Sequence, residues 1–156
     1  MPSSPDPKVK PSAVKHYTCK GRKRRINVYL PQPAIEGPLP IHINLHGSGF
    51  TLLTYGGDGY FCARVANEVG CVVLDVDHSK GPEDPWPCAV EDVDAAIAWA
   101  RENAAKEGWD ANRVSIGGFS SGGALALVAA SNPSNQLKGV VAFYPSYVPL
   151  HAIWTF

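Results

Sequence analysis

Five residues constrain this chain most: Gly118-Phe119-Ser120-Ser121-Gly122. They read G-x-S-x-G. Before them stands an apolar strand pattern, Arg113-Val114-Ser115-Ile116-Gly117, and after them a helix pattern from Gly123 to Ala130. A serine on so sharp a strand-to-helix turn sits in a strained conformation with its hydroxyl lifted clear of the sheet. Gly118 and Gly122, two residues to either side, keep the backbone from clashing across the bend. This nucleophile elbow points to acyl transfer through Ser120. The same letters also fit a Gly/Ser-rich turn capping a core helix, so the context must decide.

A second motif supplies that context. Pro40-Ile41-His42-Ile43-Asn44-Leu45 alternates as a strand does and runs into His46-Gly47-Ser48-Gly49-Phe50. The loop is close to the H-G-G-G type that follows the third strand of lipases and esterases. Acyl transfer places negative charge on the former carbonyl oxygen. One preorganised N–H donor at that oxygen is worth roughly 3–4 kcal/mol of barrier. The expected donors are Gly47 or Ser48 together with Gly49, plus the amide of Ser121. Ser48 departs from the triple-glycine form, and His46 is expected to brace the loop.

On these residues the chain resembles the hormone-sensitive-lipase-like branch of the α/β-hydrolase fold. Asp75-Val76-Asp77-His78 with Pro82-Glu83-Asp84-Pro85-Trp86-Pro87 resembles the family's stretch after its fourth strand. Asp110-Ala111-Asn112-Arg113-Val114 resembles the lead-in to the nucleophile strand, and Gly139 to Pro145 the strand after the nucleophile helix. The resemblance covers residues 25 to 148. Two departures bear on substrate preference: Phe119 stands where an acidic residue is common, and His78-Ser79-Lys80-Gly81 replaces the usual run. The resemblance implies a serine carboxylic-ester hydrolase acting on a small-molecule ester, with no metal or organic cofactor. Phe50, Tyr55 and Trp86 are candidates for an apolar substrate pocket.

Strand and helix patterns alternate along the chain, which implies an α/β fold: a mostly parallel sheet with helices on both faces. Residues 1–14 read as a flexible Pro/Ser-rich segment and 15–156 as one partial hydrolase domain. Residues 16–31 read as strands around a basic turn and 40–46 as a strand. A helix is expected over 58–69 with Phe61, Val65 and Val69 on its apolar face. Cys71 to Leu74 reads as a strand covered on both sides. A long helix is expected over 88–107, its stripe running Val90, Val93, Ile97, Ala100 and Ala104. Val140 to Tyr144 reads as the sixth strand.

Net charge is zero, which gives the whole chain no nucleic-acid or membrane signature. Eight of the 14 Lys and Arg nevertheless lie in the first 25 residues, ending in Lys20-Gly21-Arg22-Lys23-Arg24-Arg25. This run reads as a solvated turn between strands, or else as a nucleic-acid or nuclear-localisation patch. The four cysteines, at 19, 62, 71 and 88, show no zinc spacing, and Cys62 and Cys71 read as buried thiols. The polar, Pro-rich start and the lack of a long apolar run are the pattern of a soluble cytoplasmic protein.

A serine hydroxyl needs a base, and in this fold the order is Ser, then Asp or Glu, then His. No Asp or Glu follows Asp110, and the only histidine after Ser120 is His151. The pattern implies a fold lacking its last two strands and its cap, with weak or no turnover by this chain alone. His78 with Asp75 or Asp77 is a substitute acid–base pair to be tested; His16 and His42 read as strand residues without a role. The sixth strand becomes an apolar edge open to self-association, and a non-catalytic interaction protein is the alternative reading.

Overall fold

The computed structural model describes residues 9–146. His151, the rest of the apolar run 147–156 and residues 1–8 lie outside the described residues. The basic segment turns at Lys20-Gly21, both at positive φ (47° and 82°), and closes a hairpin of Ala13–Cys19 (β1) and Arg22–Tyr29 (β2). The first strand thus opens three residues ahead of the expected position, because Ala13 pairs with Val28.

Leu39–Leu45 (β3), Val72–Val76 (β4), Trp109–Phe119 (β5) and Gly139–Phe143 (β6) complete a six-stranded sheet. Its order is β1-β2-β4-β3-β5-β6. The β1/β2 and β2/β4 pairs are antiparallel; β3/β4, β3/β5 and β5/β6 are parallel. β5 starts four residues before the apolar pattern does. Trp109 pairs with Leu39, and an irregularity between Leu39 and Ile41 resets the register.

The crossovers are helices Gly59–Val69 (α1), Cys88–Glu107 (α2) and Ser121–Ser131 (α3). Strand alternation sorts the side chains by face. Ile26, Val28, Ile41, Ile43, Leu45, Val72, Leu74 and Val76 pack with α2 and α3 in the main core. Tyr29 and Val73 face the other way and pack with Cys62 and Ala66 of α1. All five residues of β4 are buried, as a strand covered on both faces must be. The stripe expected for α2 holds in Val93, Ile97, Ala100 and Ala104. For α1 the fully buried stripe is Cys62 and Ala66; of the expected face, Phe61 and Val65 pack half-buried against that cluster and Val69 turns outward. Two small residues at i and i+4 let the helix lie close to the sheet, and Val69 is left 68 % exposed. Cys62 and Cys71 are buried free thiols, and burial pushes Cys71 up to about 11. None of the described helices is long and apolar enough to cross a membrane.

The basic run is a turn between strands, but its arginines are not simply solvated. Arg22 and Arg24 share one face of β2 and close on Asp92 of α2, which is fully buried. Arg22 Nη2 reaches Asp92 Oδ1 at 3.0 Å, and Arg24 Nε reaches Oδ2 at 3.0 Å. The Ser79 amide adds a third donor at 2.9 Å. Glu91 takes Lys20 and shares Arg22 Nη2 with Asp92, and Asp84 takes Arg24. The hairpin is thereby bolted to the start of α2. Removing one partner of such a buried set strands the others, at about 3–5 kcal/mol. Asp92→Ala is therefore expected to lower the unfolding free energy by about that amount in urea titration. Glu91→Ala, on the wetter side of the cluster, is expected to cost far less.

Candidate active site

β5 delivers Ser120 and α3 begins at the next residue. Ser120 has φ 51° and ψ −117°, a conformation that non-glycine residues avoid and that must be held by its surroundings. Three backbone hydrogen bonds hold it. Its N–H donates to Phe143 O at 3.0 Å, and its carbonyl accepts from Ala124 at 3.0 Å and Ser146 at 3.2 Å. The turn also rests directly on the end of β3. A Cβ at Gly118 would lie 2.5 Å from the Leu45 carbonyl oxygen, and one at Gly122 only 2.0 Å. No real atom fits at those distances, so both positions must be glycine for the elbow to sit where it does.

The loop after β3 then passes beside the serine. A Cβ on Gly47 would stand 3.2 Å from Phe119 O and 3.4 Å from Ser120 Cβ. Ser48 is buried, and its N–H donates to Ser121 Oγ at 2.8 Å. Its hydroxyl lies 3.3 Å from the same oxygen and accepts from the Phe50 amide at 3.2 Å. The loop is thus clipped to the elbow by two serine side chains, and the Ser48 amide is already engaged. Ser121 is the first residue of α3, so its N–H is one of the helix's orphan donors, at the positive end of the dipole.

Gly47, Gly57, Asp58, Tyr60, Phe61, Phe119, Ser120 and Tyr144 line a cleft of about 330 Å³ over the serine. Phe119 stacks on Phe143 with ring centroids 4.8 Å apart and meets Phe61 edge-on. The serine's acid–base surroundings are sparse. Among the described residues its Oγ has the Ser146 hydroxyl at 3.2 Å and no imidazole.

His46 lies behind the loop, 1 % exposed, with Nδ1 3.1 Å from Thr54 Oγ1. Thr54 in turn donates to the Gly47 carbonyl, so this pair ties the loop down. The His46 ring stacks on His78 at 4.5 Å and faces Asp77 across 3.7 Å. Burial works against the Asp77 charge, but His46 and Lys80 outweigh it and hold the carboxyl below its ordinary range. Burial pushes His78 down to about 4. Its Nδ1 donates to the Ser79 carbonyl at 3.1 Å.

These features meet in one comparison. The profile of the alpha/beta hydrolase fold family matches residues 42–154. The chain belongs to that family. It is 37 % identical over 108 residues to a carboxylesterase of Mycobacterium tuberculosis, covering 67 % of this chain and 33 % of that one. It is 35 % identical over 124 residues to the versiconal hemiacetal acetate esterase of Dothistroma septosporum, covering 76 % of this chain and 38 % of that one. Among solved structures, the esterase of Pyrobaculum calidifontis superposes with a TM-score of 0.75 at 33 % identity, over 88 % of this chain and 46 % of that one. A bacterial heroin esterase superposes with a TM-score of 0.76 at 28 % identity, over 86 % of this chain and 44 % of that one. The chain thus spans about a third of the length of these curated relatives and under half of these solved structures.

Within this hydrolase-family frame, the pair built on His78 does not form beside Ser120. His78 is packed on His46 under the loop, and its contacts with Asp77 run through its backbone amide. Nor do the three aromatics line the serine cleft. Phe50, at φ 61°, packs against the main core. Tyr55 meets His46 edge-on and donates to Asp75 O at 3.2 Å. Trp86 is 38 % exposed in the segment before α2. Sequence reading missed Ser146, Asp58, Tyr60 and Phe61, which flank the serine cleft; only the helical position of α1 after the loop could have pointed to the last two.

It also missed a buried polar row. Register places Asn27, Asp75 and Asn44 side by side on the α1 face of β2, β4 and β3. Asn44 Nδ2 donates to Asp75 Oδ1 at 3.0 Å and to Asp58 Oδ2 at 3.1 Å. Asn27 Oδ1 and Asn44 Oδ1 accept nothing among the described residues. Burial pushes the Asp75 carboxyl up to about 6, against the amides of Asn44 and Asn27 and with help from Asp58. The folded state therefore holds a proton that the unfolded chain releases near pH 4. Stability falls as pH rises from about 4 to 6 and stays reduced above that. Asp75→Asn removes the charge and can donate to an orphan amide oxygen. It is expected to raise stability by roughly 2–3 kcal/mol at pH 7.5. The gain should vanish near pH 4, as read by urea unfolding at both values.

Proposed function

We propose that this chain carries the nucleophile and oxyanion half of a serine carboxylic-ester hydrolase that acts on small-molecule esters. The observation that carries the reading is Ser120 in its strained elbow at the head of α3, pressed against the loop that follows β3. Ser120 is the nucleophile. The amides of Gly47, Gly49 and Ser121 serve the developing oxyanion, and Ser48 locks the loop because its own amide is bound to Ser121 Oγ. His46 braces the loop, and Gly118 and Gly122 permit the turn. Attack by Ser120 Oγ on the ester carbonyl forms the acyl–serine ester and breaks the bond to the alkoxide; the Oγ proton must pass to that alkoxide so that it leaves as the alcohol, and water then cleaves the acyl–serine ester to the acid. Its described neighbour Ser146 is a poor acceptor, so this chain alone gives slow chemistry.

Catalysis from oxyanion support and binding alone amounts to about 10³–10⁴ over water. A fluorophosphonate probe is expected to label the chain slowly at one site, with labelling and residual 4-nitrophenyl acetate hydrolysis both lost in Ser120→Ala. Turnover at ordinary enzyme rates that survives Ser120→Ala would sink the assignment.

β6 supports a second reading, self-association. Among the described residues it pairs only with β5, and Val140, Val141 and Phe143 are 39 %, 48 % and 38 % exposed. Such an edge can accept another strand. Sedimentation velocity is expected to show concentration-dependent dimers, reduced by Val141→Lys; a monomer at every concentration would refute it.

A further inference from the structure

A second cleft, of about 550 Å³, adjoins the serine cleft and shares Gly57 and Tyr60 with it. Its chemistry differs. The serine cleft is walled by aromatic rings, whereas this one is lined by Lys10, Arg25, Asn27, Tyr29 and Tyr55. Among the described residues seven of the chain's 14 Lys and Arg form ion pairs: Lys15, Lys20, Arg22, Arg24, Arg64, Lys80 and Arg113. Among the described residues Arg25 and Lys10 have no carboxylate partner and no carboxylate lines this cleft.

One buried residue at the wall can donate to an anion. Tyr29 is 3 % exposed; burial pushes its hydroxyl up, so it remains a donor at neutral pH. Two carboxylates lie near the wall and both are engaged by amides: Asp75 accepts from Asn44 and Asn27, and Asp58, which lines the serine cleft, accepts from Asn44. Strand alternation explains the grouping: Arg25, Asn27 and Tyr29 are every second residue of β2 and share the α1 face.

We infer that this cleft is an anion subsite of the same substrate site, taking a carboxylate carried on the acyl chain of the ester. The ester carbonyl lies at Ser120, the chain crosses Gly57 and Tyr60, and the carboxylate meets Arg25, Lys10 and the Tyr29 hydroxyl. Charge-assisted bonds of this kind are the strong ones. This assignment rests on the esterase reading, but its test does not need turnover.

The probes are uncleaved amides: the 4-nitroanilide half-amides of succinic and adipic acid against the neutral 4-nitroanilides of pentanoic and heptanoic acid. Dissociation constants are measured by calorimetry on the full chain at low salt. One of the acids is expected to bind at least about tenfold tighter than its neutral counterpart, as for a hydrogen-bonded charge. The preference is expected to shrink in 0.5 M salt, disappear in Arg25→Gln, and persist in Arg25→Lys and in the distant control Lys106→Gln. Arg25 is exposed, and unchanged circular dichroism checks that its variants are folded. Equal affinity for acid and neutral amides overturns the subsite, as does a preference that survives Arg25→Gln. Loss of Ser120 labelling with the preference intact would instead overturn the catalytic reading and leave the subsite standing.

Discussion

The contact on which the site depends is the seat of the elbow on the last residue of β3. The Leu45 carbonyl oxygen occupies the space where Gly118 and Gly122 would carry side chains. That contact fixes the height of Ser120 above the sheet. Because the loop leaves β3 at the next residue, it also fixes how close Gly47 comes to the serine. Dense packing turns this into a discrete arrangement, since a shift of half an ångström has no room to be absorbed. The Ser48–Ser121 clip and the Thr54–Gly47 bond then act on a loop already held at its root.

Charge is distributed by strand parity. Four successive basic residues of β2 point alternately to the two faces of the hairpin. Those at 22 and 24 meet buried Asp92 and join the hairpin to α2. Arg25 reaches the opposite side and has no carboxylate partner among the described residues. One short run thus serves two unrelated ends, and net charge alone conveys neither.

Much of this was legible because the elements carry local signatures. The elbow is marked by glycines whose absence no packing could repair, and β4 by an apolar run. The mostly parallel sheet with helices on both faces follows from alternating patterns, and family membership from two motifs in the right order. What was not legible depends on register. Nothing local in Asn27, Asp75 or Asn44 says that three strands bring them into one row. The tightest contact of α1 was missed because Cys62 and Ala66 matter for their smallness, whereas a hydrophobicity pattern favours Phe61, Val65 and Val69. Phe50 and Trp86 show the converse: an aromatic next to a motif need not face the ligand.

The clip between Ser48 and Ser121 joins residues 73 positions apart, across the parallel β3/β5 pair. Parallel pairing closes long loops before it is rewarded, so contacts of this span form late. The serine is therefore an ordinary hydroxyl through most of folding and acquires its strained geometry only when the central strands close. In this chain the reactivity of one side chain reports the closure of the strands around it.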